Sequence, residues 1–591
     1  MRTLAFLLAA TAVAAGVPTA TARTEAARVN PAERAFAVLA KRYIDGISRL
    51  NPTSATTLGN HAYDNALPDL SAGGRARAAT FDRAMLAALG KIDRKALSRD
   101  SQVDAAMLDN ALRYDLWQIE VLKDWAWNAQ IYNDAAGNAL YGLAARDFAP
   151  WPQRLKSATL RMEKVPALFA QTRAELVPAR VPEIYAKTVQ RQNSGILDIA
   201  QDMLAPHKGE LSPADQARFD AALTTLKAAV AEHQKWIDTV LVPQAKGDFR
   251  LGPKLYDQKM RFALQSTLSR AEIKARALQS VKDIRAQMYA LARQVLKDGP
   301  TLPVSPTAEQ QQKAIEAALE LSYAQRPPRA QLMQTATATL KQTTDFVRAK
   351  DLITLPDSPV KIITMPKFQQ GFSVAYCDSP GALEQQLDTF YAISPIPDEW
   401  SDEQATSFLR EYNNYMIQDL SIHEAMPGHY VQIAHANQNK SVLRAVLSSG
   451  SFIEGWAVYA EGMMADADYL GGDPLFKLTV LKMRLRSVTN SLLDIGIQTE
   501  GLNRDQAMAL MTKGAFQQER EASGKWVRAS LSSTQLLSYF VGYSEHMAMR
   551  AEAKAKQGKA FRLKAYNDAV LSHGSPPARY VRELMFRLPI L

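Results

Sequence analysis

The chain reads as mainly α-helical, with one small β-sheet set just ahead of its most unusual pair of histidines. Residues 32 to about 350 are rich in Ala, Leu, Lys, Gln and Arg, and apolar residues recur every three or four positions, as in the stretch 270–296. Pro and Gly interrupt this pattern at Pro150, Pro152, Pro178, Pro182, Gly299-Pro300 and Pro327-Pro328, so it is a run of separate amphipathic helices. Near Leu355 the character changes. PVKIITM (359–365), FSVAYC (372–377) and TFYAISP (389–395) favour β-branched and aromatic residues between Pro, Gly, Asp or Ser, and predict two or three strands. Helical patterning returns from about Asp402 and continues to the end.

The N-terminus, MRTLAFLLAATAVAAGVPTATA, has an early Arg2, a short apolar run and a small-x-small site at Ala20-Thr21-Ala22, which predicts a signal peptide over residues 1–22. The run is too short to span a bilayer. No later stretch approaches 18 uninterrupted apolar residues, so no stable membrane insertion is expected after cleavage and the protein is expected in the periplasm or secreted. Two regions remain, a helical one over 23–355 and a second over 356–591 that holds the histidines. With 47% apolar residues in 591, the chain can bury a large core. The only cysteine, Cys377, reads as a buried thiol with no histidine near it in sequence. Net charge is +10, yet Lys and Arg alternate with Asp and Glu and no dense basic block appears, which argues against nucleic acid as a partner.

The stretch 420–432, LSIHEAMPGHYVQ, carries His423, Glu424 and His429. An unbroken helix turns about 100° per residue, so six residues would leave the two imidazoles about 120° apart. Pro427 cannot donate to the carbonyl of His423, and Gly428 opens backbone conformations closed to other residues. Together they can loop out the surplus residues and bring His429 beside His423, as a widened turn does. Downstream, SFIEGWAVYAEGMMAD places Glu454 and Glu461 on an otherwise apolar helix, where a carboxylate is costly unless it is paired or binds a metal. Two histidines and a glutamate form a common catalytic Zn2+ set, so His423, His429 and Glu454 are the expected ligands. Glu424 is then the base for the zinc-activated water. Glu461, seven residues on, is the expected partner of a ligand. His435 reads as an ordinary polar helix residue. The three strands lie close enough in sequence for a sheet edge to pair with an extended peptide.

HEAMPGH followed by EGWAVYAE resembles the bacterial DUF885 family, which is similar to divergent gluzincin metallopeptidases. AYCDSPGALEQ, EYNNYMIQDLSIHEAMPGHYVQ, KMRLRSVTNSLLDIGIQTEG and SSTQLLSYFVGYSEHMAMR extend the resemblance over most of 255–591, and it is diffuse before that. It implies a large helical shell around a zinc cleft, with the small β-sheet next to the metal helix. Relatives are expected to carry a histidine where this chain has Gln498. The segment SYFVGYSEH resembles, more remotely, the part of peptidyl-dipeptidases that supplies a catalytic tyrosine, which maps onto Tyr539, with Tyr543 one turn further. A tyrosine hydroxyl can donate to an oxyanion. Arg484 and Arg486 are candidates to hold a substrate carboxylate, and Asp494 to orient a ligand imidazole.

These readings converge on an exported zinc metallopeptidase acting on peptides or oligopeptides. A zinc amide hydrolase acting on non-peptide or cell-wall amides, or a binding protein that keeps the fold without catalysis, would use the same residues. Oligomeric state is left open by the sequence.

Overall fold

In the computed structural model, residues 30–365, 374–384 and 386–590 are described. The segment read as a signal peptide, 1–22, lies outside them. The chain is mainly helical with a small sheet: helices run from Pro31–Leu50 to Leu332–Lys350 and again from Asp402–Glu411 to Ala578–Met585, with three strands between.

Local chemistry sets the helix ends. The helix Arg270–Val295 begins at a reciprocal cap, in which Ser269 Oγ accepts the Glu272 N–H at 3.3 Å and the Glu272 carboxylate accepts the Ser269 N–H at 2.8 Å. Its apolar stripe, Ile273, Ala277, Ile284, Met288 and Ala292, is buried. It packs into the same core as Leu478, Leu485, Val488 and Ile495. That core joins residues from both sides of position 355, so the change of composition there marks a switch from helix to strand inside a shared interior.

The strands are β1 (Lys361–Thr364), β2 (Ala375–Asp378) and β3 (Phe390–Ile393), in the order β1-β3-β2. β1 runs parallel to β3, with Lys361 opposite Phe390, and β2 runs antiparallel to it, with Ala375 opposite Ile393. The sheet is tied to the N-terminal helices. Arg146 bonds the Asp378 carboxylate at 2.6 Å and the Asp388 carbonyl at 2.8 Å. The Leu383 N–H donates to the Leu58 carbonyl at 2.8 Å, and His61 lies 3.1 Å from Glu384.

Six helices after the sheet build the candidate site and are numbered in chain order: α1 (Asn414–Glu424), α2 (His429–Ala436), α3 (Gly450–Asp466), α4 (Pro474–Thr499), α5 (Glu519–Leu531) and α6 (Leu537–Gln557). α3 and α6 touch backbone to backbone. A Cβ on Gly455 would lie 2.3 Å from the Gly542 carbonyl carbon, and one on Gly542 would lie 1.8 Å from the Ser451 carbonyl oxygen. Only hydrogen fits at this crossing.

Candidate metal centre

α1 starts at Asn413, whose side chain accepts the N–H groups of Tyr415 and Met416 at 3.1 and 3.2 Å. It stops at Glu424. The Ala425 and Met426 N–H groups both turn back to the Ser421 carbonyl, at 3.1 and 2.9 Å, and the Gly428 N–H reaches the Ile422 carbonyl at 2.9 Å. A Cβ on Gly428 would lie 1.9 Å from the His423 carbonyl oxygen, so glycine is required there by close approach. α2 then begins at His429. The widened turn anticipated within one helix is instead a full break between two. It brings the imidazoles of His423 and His429 to 4.7 Å between centroids at 84°.

α3, capped by Ser449, supplies the third group. Glu454 Oε2 lies 3.7 Å from His423 Nε2 and 3.6 Å from His429 Nε2, and the three donor atoms all fall within 4.8 Å of one another. These gaps are too long for hydrogen bonds. They are close to the roughly 3.4 Å that separates tetrahedral ligands whose bonds to zinc are about 2.0–2.2 Å. The donor set fits a zinc ion on chemistry and on spacing. Glu461, two turns along the same face and buried, lies 2.6 Å from His423 Nδ1. It therefore leaves Nε2 facing Glu454. Trp456 Nε1 donates to the Pro427 carbonyl at 3.0 Å and pins the break to α3.

Charge follows this arrangement. Burial acts to lower the His423 pKa, but the carboxylates of Glu454, Glu461 and Glu424 outweigh it and hold it well above the usual value. Burial acts to raise Glu454, yet the two imidazoles outweigh it and keep its carboxyl below the usual range. For Glu424 burial wins and the pKa is raised, against the pull of both histidines. One Glu424 oxygen accepts the Cys377 N–H of β2 at 2.9 Å, so the edge of the sheet faces the candidate base.

Tyr539, on α6, is held by Arg528 of α5, whose Nη2 donates to the phenol oxygen at 2.9 Å. Burial, reinforced by the Glu454 carboxylate, raises the Tyr539 pKa against Arg528 and His423, so the tyrosine is near enough to feel the candidate donor groups. Tyr543 lies under Arg484, whose guanidinium sits 4.8 Å from the ring centroid.

Two expected roles are not met. Arg486 is engaged with Glu521 in a partly buried ion pair, and Tyr412 also reaches that carboxylate at 3.2 Å. Arg484 and Arg486, two residues apart on a helix, point to different faces and do not form a pair. Among the described residues, Asp494 meets no imidazole. It accepts from Tyr256 Oη at 3.0 Å and from the backbone N–H groups of Thr534 and Leu536 at 3.1 and 3.2 Å, which fixes the turn leading into α6 and Tyr539. Gln498 accepts the Leu251 N–H at 3.1 Å and donates to the Ser532 carbonyl at 3.3 Å, as a strut between segments. His435 bonds the Thr354 carbonyl at 2.7 Å. The Cys377 thiol is pushed up to about 12, chiefly by burial.

Sequence reasoning missed Asp419 and Arg528. Asp419, one turn before His423, is fully buried and its carboxyl oxygens meet no partner among the described residues. Burial, with Glu461 nearby, raises its pKa well above the usual carboxylate range. Its four-residue spacing from His423 was a readable signal. Arg528 carried none, because its contact is made across two helices.

Among the described residues, no helix is long and apolar enough to cross a membrane. No curated protein matches the chain. A solved structure described as "a putative lipoprotein of unknown function from Shewanella oneidensis" is 32% identical, with a TM-score of 0.80 over 93% of this chain and 99% of that one. A second, "the putative lipoprotein from Colwellia psychrerythraea", is 16% identical with a TM-score of 0.77 over 95% and 99%, and shares the fold. The profile of the bacterial proteins of unknown function termed DUF885 matches residues 52–585, and the chain belongs to that family.

Proposed function

We propose that this protein is an exported zinc-dependent metallopeptidase of gluzincin-like chemistry acting on oligopeptides. The observation that carries the reading is the trio of His423, His429 and Glu454 donors, converging at spacings longer than hydrogen bonds, beside the buried Glu424, which forms no ion pair among the described residues. Zinc held there supplies Lewis acidity, lowering the pKa of a water to about 7 and polarising a carbonyl.

The protein's own groups account for the rest. Glu424 has one oxygen fixed by the Cys377 N–H and the other left to take a proton and pass it to the departing amine. Tyr539 accepts from Arg528, so its own O–H is free to donate toward the developing oxyanion. Burial keeps that phenol protonated. Glu461 fixes the tautomer of His423. The edge of β2, next to Glu424, offers backbone groups to an extended substrate. Export fits the N-terminal sequence and the lipoprotein descriptions of the structural relatives.

The test is Glu424→Gln. Zinc content should stay at one per chain by mass spectrometry of the metal, while turnover of a peptide library falls by about 10²–10⁴-fold. Full turnover in that variant would remove Glu424 from the mechanism.

A further inference from the structure

Between α4 and α5 lies a buried charged cluster. Lys482 bonds both oxygens of Glu411, at 3.0 and 2.9 Å, and Arg486 pairs with Glu521. These four groups balance. Lys525, only 5% exposed, is the additional cation. Among the described residues its ammonium has one hydrogen-bond partner, Asn490 Oδ1 at 3.1 Å, and Asn490 is as deeply buried. An ammonium carries three donors, so two are left for another acceptor. One turn on, at the exposed end of the same face, Arg528 meets only neutral oxygens, Gln535 at 3.0 Å and Tyr539 at 2.9 Å. Lys525 and Arg528 therefore line one face of α5 with no carboxylate of the described residues hydrogen-bonded to either, and the Arg528 end touches Tyr539.

Burying a cation this way is costly unless a counter-charge arrives. Burial first, and then the neighbouring Arg486 charge, push the Lys525 pKa well below its ordinary value, against the pull of the Glu521 and Glu411 carboxylates, both already held by Arg486 and Lys482. Arg486, the earlier candidate for a substrate carboxylate, is already neutralised.

We propose that Lys525 and Arg528 form an anion subsite that receives a carboxylate of the peptide substrate, either its C-terminus or an acidic side chain, with Asn490 holding the Lys525 ammonium in place. This rests on the peptidase reading and sharpens it to peptides that present a carboxylate near the scissile bond.

The experiment uses the zinc-loaded full chain and one peptide in three forms: free C-terminus, C-terminal amide, and amide with a glutamate side chain. Parent protein should favour one of the carboxylate forms over the plain amide by about ten- to hundredfold in kcat/KM. Which form wins identifies the source of the carboxylate. In Lys525→Met that ratio should fall toward one, with zinc content unchanged. A parent ratio near one, or an unchanged ratio in Lys525→Met, overturns the proposal. Because each ratio is internal to one protein, a general loss of catalysis cancels. Should Lys525→Met fail to fold, Arg528→Gln at the exposed end must lower the same ratio. If no form is cleaved, the peptidase reading falls on its own, and saturation-transfer NMR with the same uncleaved peptides decides the subsite. Signal from the carboxylate forms that is lost in Lys525→Met supports it, and equal signal from all three forms overturns it.

Discussion

Replacing Gly542 with alanine tests whether helix packing sets the metal geometry. The new Cβ would stand 1.8 Å from the Ser451 carbonyl oxygen, about 1.6 Å short of ordinary contact, and backbone cannot rotate away as a side chain would. α3 and α6 must separate by an amount of that order. Ser451 is one turn before Glu454 on α3, so most of the shift reaches that proposed ligand. A zinc–carboxylate bond is about 2.0–2.2 Å and tolerates errors of roughly 0.2 Å. A displacement near 1 Å removes Glu454 as a ligand. Zinc affinity should fall by at least about 10–100-fold. Overpacking should also cost about 1–3 kcal/mol of stability. Competition against a chromophoric chelator reads the first effect, and a thermal melt of the metal-free protein reads the second. Gly137→Ala is the control, because a Cβ there meets nothing within 4 Å and helix propensity favours alanine. Zinc affinity in Gly542→Ala within twofold of the parent would refute the argument.

Glu461→Gln keeps the shape but removes the charge that orders His423, and should weaken zinc by about 10–100-fold in the same competition assay. Tyr539→Phe should lower kcat by about 10²–10³-fold with little change in KM, if the hydroxyl meets the oxyanion only as charge develops. An equal rise in KM would make it a ground-state contact instead. His546 is buried with Nε2 3.0 Å from the Phe452 carbonyl, and burial pulls its pKa down to about 4 from 6.5. Below pH 6.5 the unfolded chain takes up a proton that the folded one refuses until about pH 4. This group therefore subtracts stability as pH falls through that window, by about 3 kcal/mol in all. His546→Gln should narrow the loss of urea midpoint between pH 7 and 4.5, and an unchanged loss would show that His546 is protonated in the fold.

The parts of the site that sequence made legible are those where the cost was local. Glu454 and Glu461 on an apolar helix, and Pro427-Gly428 between two histidines, each violate a helix rule within one segment. Their seven-residue spacing already put both glutamates on one face. Arg486 and Asp494 were misplaced for the opposite reason. Their partners, Glu521 and the Thr534–Leu536 backbone, arrive some 35–42 residues later in chain. No periodicity encodes which face of α4 those segments cover. The strands were readable from composition, but the order β1-β3-β2 was not, since it depends on how Leu383, Glu384 and Asp388 dock on the N-terminal helices. The break after Glu424 was likewise open: proline and glycine permit either a bulge or a break, and the contact between Gly428 and the His423 carbonyl selects the latter.

The two motifs that looked like separate signals are physically one unit. His423 is bonded to α3 through Glu461 at Nδ1 and faces Glu454 of the same helix at Nε2, and the Pro427 carbonyl between the histidines accepts from Trp456. α3 in turn is located by its glycine contact with α6, which carries Tyr539. A helix broken at Pro427 would by itself leave His429 free to swing, and α3 by itself would bury two carboxylates without counter-charge. Each segment relieves the other's defect, so both halves are needed before either is stable. The same interlock sets Glu424 on α1, the candidate donors His423, His429 and Glu454 on α1–α3, and Tyr539 on α6 in one connected frame. The proposed hydrolytic reading depends on that interlock.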